Sequence, residues 1–171
     1  MLDTFWKKSL KEEQRGMKEA EIILYEKQIG FNLPNTFKEL YKIQNGGRPR
    51  KESYNKQGKL IQLFGEPVKL EPMQKLPHDF LNMRNWIIAE WGEDDEDIET
   101  LSDTNFNNLE RLIFISYMYG HSWMLFDYGW KQKEILIEPN ILFLTDNFDE
   151  TLRIKDFNTF INGLEENPDE Y

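Results

Sequence analysis

Near the start of the chain, hydrophobic residues recur at the spacing of an amphipathic helix. This pattern predicts a helix that begins near Lys18 and ends at Gly30, because glycine readily adopts the backbone conformation that closes a helix. Leu33 and Pro34 interrupt the pattern, and Pro34 suits the first turn of a second helix that ends near Ile43. The apolar positions of these two helices are Ile22, Ile23, Tyr25, Ile29, Phe37, Leu40 and Tyr41.

The segment between the second and third predicted helices contains turn residues, prolines and one short apolar run. Asn-Gly-Gly at residues 45–47 tolerates positive φ angles and predicts a turn into a polar, basic loop at 48–59, which we expect to be mobile. The apolar run predicts a strand at 60–64. Beyond the prolines, apolar residues at helical spacing predict a third helix over 79–91, and Gly92 ends it.

The second half of the chain contains short apolar runs separated by turn residues such as Gly120 and Gly129. Runs of this length and spacing predict an antiparallel meander. They span residues 112–118, 122–127, 134–137 and 141–144. Apolar residues within 157–164 then predict a closing helix that packs on the sheet, and Asn167 with Pro168 ends it.

These elements predict an α+β fold. We expect an antiparallel sheet of about four to six strands, with N-terminal helices and a C-terminal helix packed against it. The length of 171 residues suits one hydrophobic core, and the chain contains neither an internal repeat nor a linker. The expectation is therefore a single domain over residues 1–171, with a core at about 19–164.

Aromatic residues crowd the predicted hairpin at 112–130. Strand alternation places Trp123 and Leu125 on one face and Met124 and Phe126 on the other, so both faces are largely apolar. Such a sheet is either covered on both faces or keeps one face for a partner, and core packing is the simpler expectation. Because tyrosine and tryptophan anchor many protein interfaces, aromatic residues near the predicted turns are candidates for exposure and partner contact. These candidates are Tyr119, Tyr128 and Trp130.

The net charge of −10 is unevenly distributed, since residues 1–60 carry 13 Lys and Arg against 8 Asp and Glu, whereas residues 61–171 carry 8 against 23. A negative field repels phosphate backbones and attracts cationic surfaces, so we expect no direct nucleic-acid ligand and consider a basic protein as the partner. Solubility alone is the competing explanation of the charge. The acidic candidates for partner contact are Glu93, Asp94, Asp95, Glu96, Asp97, Glu99 and Asp103.

Several kinds of chemistry lack the residues or the spacing that they need. The chain has no cysteine, and its two histidines lack the HExxH spacing of a zinc site. His121, Ser122 and Asp127 supply the residue types of a catalytic triad, but neighbouring residues on a strand point to opposite faces. The acidic run lacks the glycine of a calcium-binding loop, and no phosphate-binding glycine motif occurs. We therefore expect no catalytic residue, cofactor or metal, with a hydrolase that uses scattered carboxylates as the weaker alternative.

The hydropathy of the chain bears on its location. No segment approaches the roughly 20 apolar residues of a membrane helix, and the first residues, MLDTFWKKSLKEEQ, lack the apolar run of a signal peptide. We therefore expect a cytoplasmic protein without a membrane partner.

The order of these motifs resembles the SUKH superfamily. The segment EKQIGFNLPNTFKELYKIQNGG is similar to its start, in which a helix ends at an apolar-Gly pair and Leu-Pro, a short helix and Asn-Gly-Gly follow. ERLIFISYMYGHSWMLFDY resembles its central hairpin, which ends in an Asp-Tyr pair, here Asp127 and Tyr128. EPNILFL and IKDFNTFINGL resemble its last strand and closing helix, so the similarity extends over about residues 19–164.

The resemblance implies a non-catalytic, protein-binding module. Many bacterial members are similar to immunity proteins that neutralise a toxin encoded beside them, whereas fungal relatives regulate cell-wall synthesis. The long segment 66–108, with its acidic run, departs from the compact pattern, and the family supplies no catalytic residues. Our hypothesis is an immunity protein whose acidic surface and aromatic residues cover the active site of a basic toxin, such as a nuclease. The alternative is a regulatory or chaperone-like adaptor, and the oligomeric state stays open.

Overall fold

The computed structural model describes residues 2–6, 15–46, 49–51, 53–56, 59–62, 66–67, 82–92, 109–118, 122–129, 136–145 and 147–166. Within these ranges the α-helices are α1 (Glu19–Ile29), α2 (Asn35–Ile43), α3 (Met83–Trp91) and α4 (Phe157–Asn162), and short 3-10 helices span Leu2–Thr4 and Leu109–Arg111. The strands are β1 (Ser53–Lys56), β2 (Lys59–Gln62), β3 (Glu66–Pro67), β4 (Leu112–Met118), β5 (Ser122–Asp127), β6 (Asn140–Thr145), β7 (Glu150–Ile154) and β8 (Leu164–Glu165). The predicted α+β class is confirmed.

The connection between α1 and α2 follows the sequence prediction. Gly30 ends α1 with a φ angle of 75° and donates its N–H to the Glu26 carbonyl at 3.0 Å. The Glu26 carboxylate accepts a hydrogen bond from the Leu33 N–H at 2.7 Å and pairs with the Lys38 ammonium at 3.2 Å. Glu26 therefore joins the end of α1 to the Leu-Pro connection and to the first turns of α2.

The main sheet is antiparallel, with the strand order β3-β4-β5-β6-β7. Its central strand β5 pairs with β4 on one side and directly with β6 on the other. The sequence predicts a strand at 134–137, of which only Leu136 and Ile137 are described. Both lie in an irregular segment, so the prediction is wrong for these two residues. The edge strand β7 was not predicted, since its sequence ETLRI lacks a continuous apolar run.

Apolar side chains fill both faces of the main sheet. On the first face, α1, α2 and α4 pack against a sheet layer that consists of Ile113, Ile115, Met124, Phe126, Ile141, Phe143, Leu152 and Ile154. On the second face, Met83 and Ile87 of α3 pack against Leu112, Phe114, Trp123, Leu125, Leu142 and Leu144. The alternation predicted for β5 is confirmed, and these residues belong to a sheet covered on both faces.

A second sheet, with the order β2-β1-β8, corrects two predictions. The segment expected to be a mobile loop at 48–59 contains β1, in which Ser53 is buried and pairs with Glu165. The closing helix ends at Gly163 and not near Asn167, because the chain then extends to pair with β1. Polar composition indicated a loop at β1, and pairing with the neighbouring strand β2 and with the distant strand β8 overrides that signal.

Three buried tyrosines make stability sensitive to alkaline pH. Burial raises the pKa of the hydroxyl groups of Tyr25, Tyr41 and Tyr128. The buried, protonated hydroxyls stabilise the fold fully below about pH 10, which is the pKa of tyrosine in the unfolded chain. This stabilisation is lost as the pH rises toward the higher pKa of the folded chain. We expect the free energy of unfolding to fall above about pH 10, by about 1.4 kcal/mol per pH unit for each tyrosine.

Urea denaturation at a series of pH values from about 8 to 11 measures this slope. The Tyr128→Phe variant should show a shallower slope. It should also lose about 1 kcal/mol at neutral pH, because the Tyr128 hydroxyl donates a 2.6 Å hydrogen bond to the Asn32 carbonyl. An identical slope in the variant and the wild type would contradict the prediction.

Asp156 caps α4. Its carboxylate accepts a 2.7 Å hydrogen bond from the Thr159 N–H, and this bond lowers the pKa of the Asp156 carboxyl group. We expect Asp156→Ala to cost about 1 kcal/mol at neutral pH, whereas Asp156→Asn, which keeps an acceptor, should cost less. Because the folded pKa is lowered, the charged cap stabilises above the unfolded pKa of about 3.9 and loses its effect as the pH falls through the folded value. Urea denaturation at neutral and acidic pH tests both effects, and equal losses in the two variants would argue against the cap.

Candidate partner-binding surface

Most of the residues predicted to contact a partner lie outside the part of the chain that the structure describes. Their role stays a prediction. They are Glu93, Asp94, Asp95, Glu96, Asp97, Glu99, Asp103, Tyr119 and Trp130. Asp127 and Tyr128, the pair that ends the central hairpin, are both described.

Tyr128 is buried, so the expectation that it is exposed is wrong. Its side chain has a relative exposure of 1%, and its ring stacks on Phe31 with a centroid distance of 4.5 Å. Its hydroxyl donates to the carbonyl of Asn32, the residue before Leu33 and Pro34. The proximity of Tyr128 to a turn suggested exposure, but its side chain lies on the first face, beneath the connection between α1 and α2. Tyr128 is therefore part of the framework.

Asp127 lies on the second face and is fully buried. Its carboxylate accepts a 2.9 Å hydrogen bond from the Gly129 N–H and forms an ion pair with the Arg153 guanidinium. Arg153 also pairs with Glu150 at 2.9 Å. Burial lowers the pKa of Arg153, but its hydrogen bonds with Glu150 and Asp127 raise it by more, so the net shift is upward. This arrangement joins the end of β5 to the edge strand β7.

The structure does not bring Ser122 and Asp127 together. Ser122 begins β5 and Asp127 ends it, so about 16 Å of strand separates them. His121 lies outside the described residues. Asp127, the carboxylate of the candidate triad, therefore belongs to a structural ion pair with Arg153.

The second face ends in an aromatic cluster, which consists of Trp86, Trp123 and Phe148. Trp86 of α3 meets Trp123 of β5 edge to face at 5.1 Å, and Phe148 stacks on Trp123 at 5.0 Å between ring centroids. Trp123 is buried, whereas Trp86 and Phe148 are half-buried at the edge of the core. Sequence reasoning missed this cluster because Phe148 stands in a polar turn without periodicity. Trp86 offered a signal, since it follows Met83 by three positions on the predicted helix.

Phe148 occupies an unusual backbone conformation. Its φ angle is 61°, and among the described residues it is the only non-glycine residue with a positive φ. That conformation costs about 1–2 kcal/mol for a residue with a Cβ atom, and bulky residues adopt it least often. The stacking of Phe148 on Trp123 contributes about 0.5–1.5 kcal/mol beyond the burial of apolar area. The ring also packs against the core of the second face, so the apolar area that it buries adds to this stabilisation and offsets the cost of the backbone conformation.

The turn that carries Phe148 is held by its backbone and by Thr145. The Phe148 N–H donates to the Thr145 carbonyl at 2.9 Å, and the Thr145 N–H donates to the Asp149 carbonyl at 3.0 Å. The Asp149 N–H donates to the Thr145 hydroxyl at 3.2 Å. Asp149 and Glu150 are exposed immediately after Phe148. Of these two carboxylates, that of Glu150 is paired with Arg153.

A groove of about 310 Å³ opens elsewhere on the surface. It is lined by Thr4, Phe5, Arg50, Lys51, Ile161, Asn162, Leu164 and Glu166. Its charged groups have both signs, and Arg50 is held by the Trp6 carbonyl, which accepts from the Arg50 Nε–H at 3.2 Å. The lining carries two cations, Arg50 and Lys51, and one carboxylate, Glu166.

Two further findings concern metals and membranes. Within the described ranges, no group of three His, Cys, Asp or Glu side chains is placed to hold a metal ion. The helices of the same ranges include none that is long and apolar enough to cross a membrane.

Comparison with known proteins identifies a family. No curated protein and no solved structure matches the chain. The sequence model of the SMI1 / KNR4 family (SUKH-1) matches residues 16–163, which include all four described α-helices and every described strand except the last. This range contains the Leu-Pro connection, which hydrogen bonds with Glu26 and Tyr128 hold in place. It also contains the Asp-Tyr pair, whose aspartate is paired with Arg153. The chain therefore belongs to the SMI1 / KNR4 family (SUKH-1), and with it to the SUKH superfamily.

Proposed function

We propose that this chain is a non-catalytic, protein-binding domain that acts as an immunity protein, and that it binds and neutralises a cognate bacterial toxin. The observation that carries the proposal is the family match over residues 16–163. Members of this family bind partner proteins, and the acidic second half of the chain favours a basic partner. The toxin class that we propose is a nuclease, whose site must attract polyanions.

The geometry of the described residues supports a role at the surface. Both faces of the main sheet are filled by packed side chains. The buried polar groups of Asp127 and Tyr128 hold Arg153 and the Asn32 carbonyl, respectively. Groups engaged in this way are framework elements, so binding is left to the outer residues.

The proposed mechanism is occlusion. The acidic residues of 93–103 would lie over the phosphate-binding positions of the toxin, because carboxylates complement a surface that binds polyanions. Long-range attraction would speed association, whereas buried aromatic contacts would slow dissociation. No bond is made or broken in this process, so inhibition needs only a stable complex.

Co-expression is the direct test of immunity. We expect the chain to restore growth of cells that express the toxic C-terminal domain encoded immediately upstream, and to co-purify with it. An inactive toxin variant provides the control for the burden of expression. Continued toxicity without a complex would contradict immunity and favour an adaptor that binds a cellular protein.

Charge reversal tests the acidic run. We expect replacement of Asp94, Asp95 and Asp97 by lysine to lower the association rate on the order of tenfold and to weaken its dependence on salt. Stopped-flow kinetics at several salt concentrations measure both quantities. A matched control makes the same change of total charge at three exposed carboxylates elsewhere, namely Glu39, Glu165 and Glu166. Equal association rates for the two triple variants would remove the acidic run from the interface.

A further inference from the structure

The groove of about 310 Å³ lies where three distant parts of the chain meet. Its lining includes Phe5 of the N-terminal segment, Arg50 and Lys51 before β1, and Ile161 and Leu164 of α4 and β8. Phe5 and Ile161 are half-buried and Leu164 is buried, so one part of the lining is apolar. The side chains of Arg50 and Lys51 are exposed. The groove therefore combines an apolar surface with two cations.

Hydrogen bonds hold the side of the groove that carries the cations. The Arg50 N–H donates to the Phe5 carbonyl at 2.7 Å, and the Arg50 Nε–H donates to the Trp6 carbonyl at 3.2 Å. Trp6 is buried, and its ring meets the Phe5 ring edge to face at 4.8 Å between centroids. These contacts place Arg50 and Phe5 before any ligand binds, and such preorganisation lowers the entropic cost of binding.

The two cations of the groove are not paired inside the protein. Within the described part of the chain, neither Arg50 nor Lys51 forms an ion pair, although Glu166 lines the same groove. Both belong to residues 1–60, in which Lys and Arg outnumber Asp and Glu by 13 to 8. Cationic side chains form their strongest hydrogen bonds with carboxylates, so these two are available to a carboxylate of a ligand.

The size and the exposure of the groove indicate what kind of ligand it can hold. Sites for small molecules usually measure about 300–1,000 Å³ and bury most of the ligand. This groove lies at the lower end of that range, and most of its lining residues are exposed, namely Thr4, Arg50, Lys51, Asn162 and Glu166. It therefore suits a single apolar side chain of a bound protein segment better than an enclosed small molecule.

We propose that this groove is a second binding surface, which receives an apolar side chain from an acidic segment of a partner protein. Arg50 and Lys51 pair with the carboxylates on either side of that apolar residue. Charge complementarity decides the choice of partner, since the acidic second half of the chain favours a basic surface and the two cations of the groove favour an acidic one.

The groove is distinct from the surface proposed for the toxin. The acidic run at 93–103 contributes no residue to its lining. Half of the lining residues lie outside the range 16–163 that matches the family model, and these are Thr4, Phe5, Leu164 and Glu166. The recognition of an acidic segment therefore does not rest on the family match or on immunity.

The first experiment uses a defined peptide as the probe. The capped peptide Glu-Glu-Phe-Glu-Glu is titrated into the full chain, and the methyl signals of Ile161 and Leu164 are followed by NMR. We expect saturable shifts of both signals. Two control peptides, in which glutamine replaces each glutamate or glycine replaces the phenylalanine, should bind at least about fivefold more weakly, because each lacks one of the two contacts. No shift at these residues, or equal binding of the three peptides, would overturn the proposal.

The second experiment reverses one charge at the groove. Lys51→Glu changes an exposed side chain, and Lys27→Glu makes the same change at an exposed residue of α1. We expect Lys51→Glu to weaken binding of the acidic peptide on the order of fivefold, and Lys27→Glu to weaken it by less than about twofold, since salt screens distant charges. The urea unfolding midpoints of both variants show that the fold is kept. Equal binding by the two variants would remove Lys51 from the contact and contradict the proposal.

Sedimentation of the chain alone separates a partner protein from a second copy, whose residues 93–103 are also acidic. We expect the wild type and Lys51→Glu to sediment alike at every concentration. Association of the wild type that Lys51→Glu abolishes would assign the groove to a second copy and overturn the proposal of a separate partner. Because none of these measurements contains the toxin, a failure of immunity in co-expression leaves their outcome unchanged.

Discussion

The fold depends on the burial of both faces of one sheet. Strands β4, β5 and β6 are almost continuously apolar, and each would expose a hydrophobic face if the sheet were covered on one side only. Helices α1, α2 and α4 cover the first face, and α3 covers the second with Met83 and Ile87. Since α3 lies in the long segment 66–108, part of the segment that departs from the compact family pattern completes the core. The packed interior leaves partner recognition to the outer surface.

The Asp-Tyr pair at the end of β5 connects this sheet to its surroundings. Tyr128 lies on the first face and binds the Asn32 carbonyl beside the Leu-Pro connection, whereas Asp127 lies on the second face and holds Arg153 of the edge strand. Two motifs that are 94 positions apart in the sequence, at Pro34 and Tyr128, are therefore parts of one contact region. A fold held by such framework contacts can keep its architecture while its surface residues change.

Periodicity predicted the elements whose burial is regular, which are α1, α2, α3 and the strands β4 to β6. It failed where strand pairing, and not a regular apolar pattern, decides the structure. The polar strand β1 pairs with its neighbour β2 and with the distant β8, and the mixed sequence of β7 pairs with its neighbour β6. Tyr128 appeared exposed from its position near a turn, yet a contact with Asn32 buries it. Phe148 had no local signal, because its φ angle and its stacking on Trp123 exist only in the folded chain.

The central claim is that the filled core leaves binding to the outer surface, with the proposed contact at the acidic run 93–103. Hydrogen–deuterium exchange of the chain, alone and bound to its proposed partner, a toxin domain, tests this claim most directly. The account predicts that binding slows exchange within 93–103, while exchange in α1 and α2 is unchanged. Protection confined to α1 and α2 would place the interface elsewhere and contradict the account.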